Sequence, residues 1–244
     1  MKKKLVTGAL LCAFGAVAVT GGTLAYFTDT DAADNIFTTG NVDIALEEVF
    51  DAKNAKLMPG IDIQKEIDVR NAGTEESYVR VHMAVPSMLD SGSEDQPQFA
   101  AYNNTLHWNF SKAAVADGLW NWHKENENGT SLPGWPGNGG EWNMYQQKID
   151  GILYNVYVAT YETALPGVKV SDLKGATTAE PAIYKVYLDK SVTNEQMTGI
   201  TKELGATPKI LVIAEGGQVA GFDNAYDALN TQFGVPGSYN PWDK

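Results

Sequence analysis

His82, His107 and His123 are the only imidazoles in the chain, and with its carboxylates they are the groups from which a hydrolytic metal centre would be built. Zinc takes three or four nitrogen, sulfur or oxygen ligands, and catalytic zinc helices advertise themselves by close pairs such as HExxH. The three histidines are widely separated, and the sequence has no HExxH, no GxSxG elbow, no phosphate-cradling glycine loop and no nucleophilic cysteine. His82 falls on the outer side of a strand pattern, while His107 and His123 each adjoin a tryptophan. Structural or surface roles are therefore expected, and neither a catalytic residue nor a metal ligand is assigned.

Two other groups invite chemistry. Asp29, Asp31 and Asp34 are a small acidic cluster of the kind that holds calcium through carboxylate oxygens. The glycine and terminal glutamate of an EF-hand are missing, so a solvated loop with no cofactor is the expectation. Five of the six tryptophans, Trp108, Trp120, Trp122, Trp135 and Trp142, crowd one stretch. Exposed flat aromatics stack on sugar rings or partner surfaces, which makes Trp120, Trp122 and Trp135 a possible ligand contact. Burial in a subcore of that stretch is the favoured alternative. No carboxylate pair stands out for sugar hydrolysis, because with 30 acids any chosen pair is uninformative.

The elements that would position these groups begin after a leader. Lys2, Lys3 and Lys4 form a basic start, Leu5 to Val19 an apolar run, and Gly21 to Ala25 a small-residue end with Thr23 and Ala25 at the positions that signal peptidases read. Cleavage is expected between Ala25 and Tyr26. An uncleaved anchor is the alternative, and the apolar run falls short of the ~20 residues of a spanning helix. The membrane is thus met only through the uncleaved signal. Cys12, the one cysteine, lies inside the leader, so the mature chain forms no disulfide and no thiolate site. Loss of the three lysines takes the formal charge from -12 to -15, a field that disfavours nucleic acid and anionic lipid.

The mature chain reads as mainly β. Asn41 to Phe50 alternates, with Val42, Ile44 and Leu46 on one face; Ile61, Ile63, Ile67 and Val69 keep period two with a break at Lys65; Tyr78 to Val85 places Val79, Val81, Met83 and Val85 opposite Tyr78, Arg80 and His82. From about 86 to 145 turn formers dominate, and a loop-rich insertion with short strands at Thr105 to Phe110 and Leu119 to His123 is expected. Alternation returns at Gly151 to Tyr161 and Ile183 to Leu188, and Lys209 to Ala214 is a buried apolar strand. Two short helices come late. One follows a Thr193/Gln196 capping box and stops at Gly205; the other runs from near Asp223 to Gly234. The fold class expected is an antiparallel jelly roll or β-sandwich with these two helices. Its parts are a leader 1–25, an N-terminal segment 26–40, a single domain 41–235 and a tail 236–244.

The segments GGTLAYFTD, NIFTTGNVDIAL, LMPGIDIQKEIDVRNAGTEESYVRVHM and IAEGGQVAGFDNAYDAL resemble the TasA/camelysin family of secreted proteins from Gram-positive bacteria. The resemblance covers residues 20–85 and 208–230 and says little about 86–207. It implies a jelly-roll domain, export through a dedicated signal peptidase, and polymerisation into biofilm matrix fibres at the cell surface or beyond. In such fibres the freed N-terminal segment of one subunit is expected to insert as a strand into the next. Carried onto this chain, the donor is Tyr26 to roughly Phe37, with Tyr26, Phe27, Thr28, Ile36 and Phe37 as its apolar and strand-forming residues. The expected partners are further copies of itself, the signal peptidase, and matrix or cell-wall components. A camelysin-like metallopeptidase and an adhesin using the tryptophan-rich stretch are the alternatives.

Overall fold

The computed structural model describes residues 28–31, 41–51, 56–90, 97–110, 119–124, 142–169, 171, 173–206 and 208–243. The leader, Tyr26, Phe27, Ile36, Phe37 and Trp135 lie outside the described residues, so the cleavage site, most of the expected donor segment and one of the three candidate tryptophans are not placed.

Eleven strands are described: β1 (Thr28–Asp31), β2 (Ile44–Val49), β3 (Ile63–Gln64), β4 (Glu66–Asn71), β5 (Ser77–Pro86), β6 (Leu106–Phe110), β7 (Trp120–Asn121), β8 (Met144–Ile149), β9 (Ile152–Leu165), β10 (Ile183–Leu188) and β11 (Leu211–Gln218), with helices α1 (Asn194–Leu204) and α2 (Ala225–Phe233). One layer is an antiparallel sheet in the order β1-β11-β5-β9-β7, with β8 also paired to β9. The facing layer has two parts, β2-β4 and β3-β10-β6. The chain between 176 and 184 joins them, since Asn71 donates to Ala176, Thr178 to Val69, Ala182 to Ile67 and Lys65 to Tyr184. The protein is therefore a mainly β, antiparallel sandwich, as the alternating segments imply.

The core follows from the period of two. Val79, Val81, Met83 and Val85 of β5 turn inward and meet Ile44, Ile67 and Val69 from the facing layer, with Tyr157, Ala159 and Tyr161 of β9 beside them. Lys65 breaks the alternation because it is the joint between β3, which pairs with β10, and β4, which pairs with β2. Its stem is buried, its ammonium pairs with Glu48, and it sits 5.0 Å from the centroid of the Phe50 ring.

Three local features depart from the sequence expectation. First, the stretch 86–145 is not a peripheral insertion alone: β6 is a strand of the facing layer, and Trp120 is wholly buried in the main core. Second, β8 was not visible as a strand, because its Gln146, Gln147 and Lys148 hide the period. A hairpin through Asp150 and Gly151, both at positive φ, pairs it with β9. Third, β11 runs four residues beyond Ala214, through Glu215, Gly216, Gly217 and Gln218. The capping box at Thr193 and Gln196 is present with both of its hydrogen bonds, 3.2 Å and 2.9 Å.

Candidate functional site

β1 occupies the outermost position of the long sheet, where it pairs antiparallel with β11 over four registered positions, from Thr28 opposite Gly217 to Asp31 opposite Ala214. The strand comes from the part of the chain expected to be the donor. β11 is held on its other edge by eight consecutive pairs with β5, so the body fixes the edge on which β1 lies.

The two glycines of β11 make this edge unusual. A Cβ on Gly216 would stand 2.4 Å from Cγ2 of buried Ile44, on the inner face. A Cβ on Gly217 would stand 3.1 Å from Oε1 of Gln232, on the outer face. Gly216 is therefore required for room against Ile44, while at Gly217 the Gln232 side chain lies close over the backbone of β11.

Glu215 anchors the same strand from the outer face. Its carboxylate, 1% exposed, accepts from Arg80 Nε at 2.5 Å, from the Tyr239 hydroxyl at 2.6 Å, and from His82 Nε2 at 3.1 Å. Arg80 spends its remaining donors on Asn230 Oδ1 (2.8 Å), the Gly234 carbonyl (3.0 Å) and the Tyr239 hydroxyl (2.7 Å). Burial lowers the His82 pKa and keeps the ring neutral. A neutral ring satisfies both neighbours by donating Nε2–H to Glu215 and accepting the Tyr145 hydroxyl at Nδ1, 3.1 Å away. Burial pushes the Glu215 carboxyl upward, but the His82 hydrogen bond, the Arg80 charge and the Tyr239 hydroxyl outweigh it and hold the group at about 2. With His82 neutral, Arg80 supplies the compensating charge.

His82 and Arg80 thus lie on the outer side of β5, as the alternation requires, yet neither is at the surface. The tail covers them: Tyr239 and Trp242 each meet the His82 ring edge-on, with centroids 6.2 and 6.3 Å away. A small second core of Ala84, Ile149, Tyr154 and Val156 continues this covered face. Sequence reasoning missed the arrangement because the groups come from β5, β8, β11, α2 and the tail. The available signal was the tail's own Tyr239 and Trp242, two large aromatics in a segment otherwise read as loop.

The remaining candidates do not converge. His107 lies 3.4 Å from Asp189 and stacks against Tyr187; His123 packs on Trp142. Among the described residues no three histidines, cysteines or acids are grouped as metal ligands, and His82 commits both nitrogens, to Tyr145 and to Glu215, so this donor set does not fit a zinc ion. Trp120 and Trp122 are 0% and 3% exposed, and Trp120 gives its indole N–H to the Glu180 carbonyl at 2.9 Å. Neither presents a ring face to a sugar or partner. The aromatic-filled interior, with Trp108 and Trp142 edge-on to Tyr157 and Trp120 to Tyr161, is what they build. No described helix is long and apolar enough to cross a membrane.

No solved structure matches this chain. Over 75 residues it is 36% identical to the major biofilm matrix component of Bacillus subtilis (strain 168), a match that takes in 30% of this chain and 29% of that protein. The chain thus spans less than a third of the length of the curated relative it matches. The family model described as camelysin metallo-endopeptidase matches residues 1–128, more than half of the sequence, and the chain belongs to that family.

Proposed function

We propose that this protein is a secreted structural subunit of an extracellular matrix, joined copy to copy by strand exchange at the edge of β11. The observation that carries the reading is the place of β1. Among the described residues it is the terminal strand of its sheet, it comes from the N-terminal side of the body, and its one strand partner is β11. A strand so placed can be supplied by a second copy without disturbing any other pairing, and a sheet edge left open favours its replacement by another extended segment. Head-to-tail exchange is heterologous and grows a filament rather than closing a pair. The likeness to a major biofilm matrix component supports the same reading.

In this reading, signal-peptidase cleavage after Ala25 frees Tyr26 and the donor segment to roughly Phe37, and the mature body from 41 onward receives it. Matrix or cell-wall components are the further partners. The described residues bring no metal-ligating set together, and no peptidase role is assigned to them in this reading.

The test compares mature protein beginning at Tyr26 with the same protein carrying a bulky tag before Tyr26, both imaged by electron microscopy. Fibres from the first and monomers from the second are expected. Monomers from both under all conditions, or equal fibres from both, would overturn the reading.

A further inference from the structure

The segment that covers the outer face of β5 is held differently from the strands beneath it. β5 is paired on both edges, with β11 over eight positions and with β9 over nine, and β8 is paired to β9 over six. Among the described residues, the backbone of 235–243 bonds only within its own segment: Ser238 donates to the Val235 carbonyl at 3.0 Å, Asp243 to the Asn240 carbonyl at 3.2 Å and Trp242 to Asn240 Oδ1 at 3.1 Å. The body grips it by side chains, through the Tyr239 hydroxyl between Glu215 and Arg80 and the Trp242 ring on the second core. Gly234 and Gly237, with φ of 100° and 88°, stand at its root on either side of the exposed Val235, and glycine lets the chain turn there at little cost.

Beneath this segment lies His82, 0% exposed. Among the described residues, the charged and titratable groups that face its ring are Arg80 from its own strand, Tyr145 from β8, Glu215 from β11 and Tyr239, whose hydroxyl is 3.5 Å from Nε2. α2 gives its Asn230 amide to Arg80, and β9 sets Val158 opposite His82, so neither brings a charge to the ring.

The neutral ring suits this enclosure, as a donor to Glu215 and an acceptor for Tyr145. A further proton does not. It turns Nδ1 into a donor aimed at the Tyr145 hydroxyl, and it sets a second cation beside Arg80 around a single carboxylate, away from water. Burial keeps the phenols of Tyr145 and Tyr239 protonated, so neither supplies a balancing anion. The ring takes the proton where water reaches it, and of the walls around it 235–243 is the one that no ladder holds.

We propose that residues 235–243 are an acid-released strap, lifted from β5 and β8 as a unit when His82 is protonated while the sandwich beneath stays folded. Lifting uncovers Arg80, Glu215 and the apolar Ala84, Ile149, Tyr154 and Val156. The device stands apart from the assembly reading, since it involves neither β1 nor a second copy.

The sign follows from the two forms. Closed, the ring titrates below its ordinary 6.5; lifted, it titrates near that value, so the lifted form gains about tenfold over the closed one for each pH unit below 6.5. Glu215, held at about 2 while Tyr239 and His82 donate to it, moves back toward 4.5 once they leave, so a second proton steepens the release below pH 4.5.

The experiment is NMR on the mature chain in solution between about pH 7.5 and pH 4, following the His82 ring carbons, the Tyr239 and Trp242 ring signals, and Hα–Hα contacts between β5 and β9. Trp242→Phe assigns the indole. At the upper end, contacts between the Trp242 and His82 rings are expected. They should fade in step with protonation of His82, while the contacts between β5 and β9 persist. In His82→Gln the strap signals should hold between pH 6.5 and 4.5. Trp242→Ala removes one of the two anchors and should raise the midpoint, read from Tyr239, toward 6.5.

A protonated His82 that keeps its contacts with Trp242 would overturn the proposal, as would a neutral ring under a closed strap down to pH 4. Loss of the strap and of the β5–β9 contacts in one step would overturn it too, because the event would then be global unfolding. So would release of the strap at the native midpoint in His82→Gln. Where His82→Gln does not fold, Trp242→Ala decides, and an unchanged midpoint there counts against the strap.

Discussion

Replacing Glu215 by glutamine removes the negative charge at the middle of β11 while keeping the volume of the side chain. Three groups donate to that carboxylate, and one is the guanidinium of Arg80, itself 2% exposed. An amide offers one oxygen and turns its NH2 toward donors, so Arg80 is left buried without a counter-charge. Breaking a buried pair on one side costs about 3–5 kcal/mol. For a domain of this size each kcal/mol moves the melting temperature by about 2–4 °C, so a fall of roughly 6–20 °C is expected.

The acid limb gives an independent reading of the same charge. The folded carboxyl titrates at about 2, against 4.5 for the unperturbed group, so its stabilisation is complete above pH 4.5 and drains away as pH falls toward 2. Chemical denaturation followed by circular dichroism at pH 7, 4.5 and 3 measures both quantities. Glu215→Gln should be less stable at pH 7 and should lose less than the native protein between pH 4.5 and 3. A destabilisation below about 1 kcal/mol, or an acid limb of unchanged depth, would refute the account of the network.

Other expectations follow from the same geometry. Gly216→Ala puts a Cβ against Ile44 and should cost about 1–3 kcal/mol by overpacking; a double-mutant cycle with Ile44→Ala should show coupling, and strict additivity would argue against the contact. Trp120→Ala empties a wholly buried site and should cost about 3–5 kcal/mol in urea unfolding; a loss below about 1 kcal/mol would argue against its place in the core. Burial lowers the His82 pKa below 6.5, so the unfolded chain takes up a proton first and stability should fall as pH drops through 6.5; His82→Gln should flatten that limb without abolishing it, because burial lowers His123 as well. Thr193→Ala removes one half of the capping box and should cost about 1 kcal/mol, seen as a lower denaturation midpoint.

What could be read in the sequence was local and periodic. The inward faces of β2, β4 and β5 follow from alternating Val, Ile and Met, and the start of α1 follows from a two-residue capping pattern. β8 carries polar residues on its exposed positions and gives no such signal. Strand β11 looked finished at Ala214 because glycine is a poor strand former, and only the presence of Ile44 explains why the strand needs Gly216. The outer face of β5 read as solvent-facing since nothing in the residues near Arg80 and His82 hints at a cover. That cover arrives about 150 positions later, as Asn230, Tyr239 and Trp242. The tryptophans show the same limit: composition marks Trp120 and Trp122 as notable, but their burial depends on β9 and the chain near Glu180.

The orientation of β1 on its edge also bears on mechanics. Hydrogen bonds of an antiparallel ladder lie across the strands. In the assembly proposed above, tension passed from copy to copy would enter β1 along its length. Such a pull shears the pairs at Asp29 and Asp31 together instead of peeling them one after another. A joint with few rungs loaded in this way shares its burden among all of them, and the strength of a filament so built is set by how many rungs are engaged.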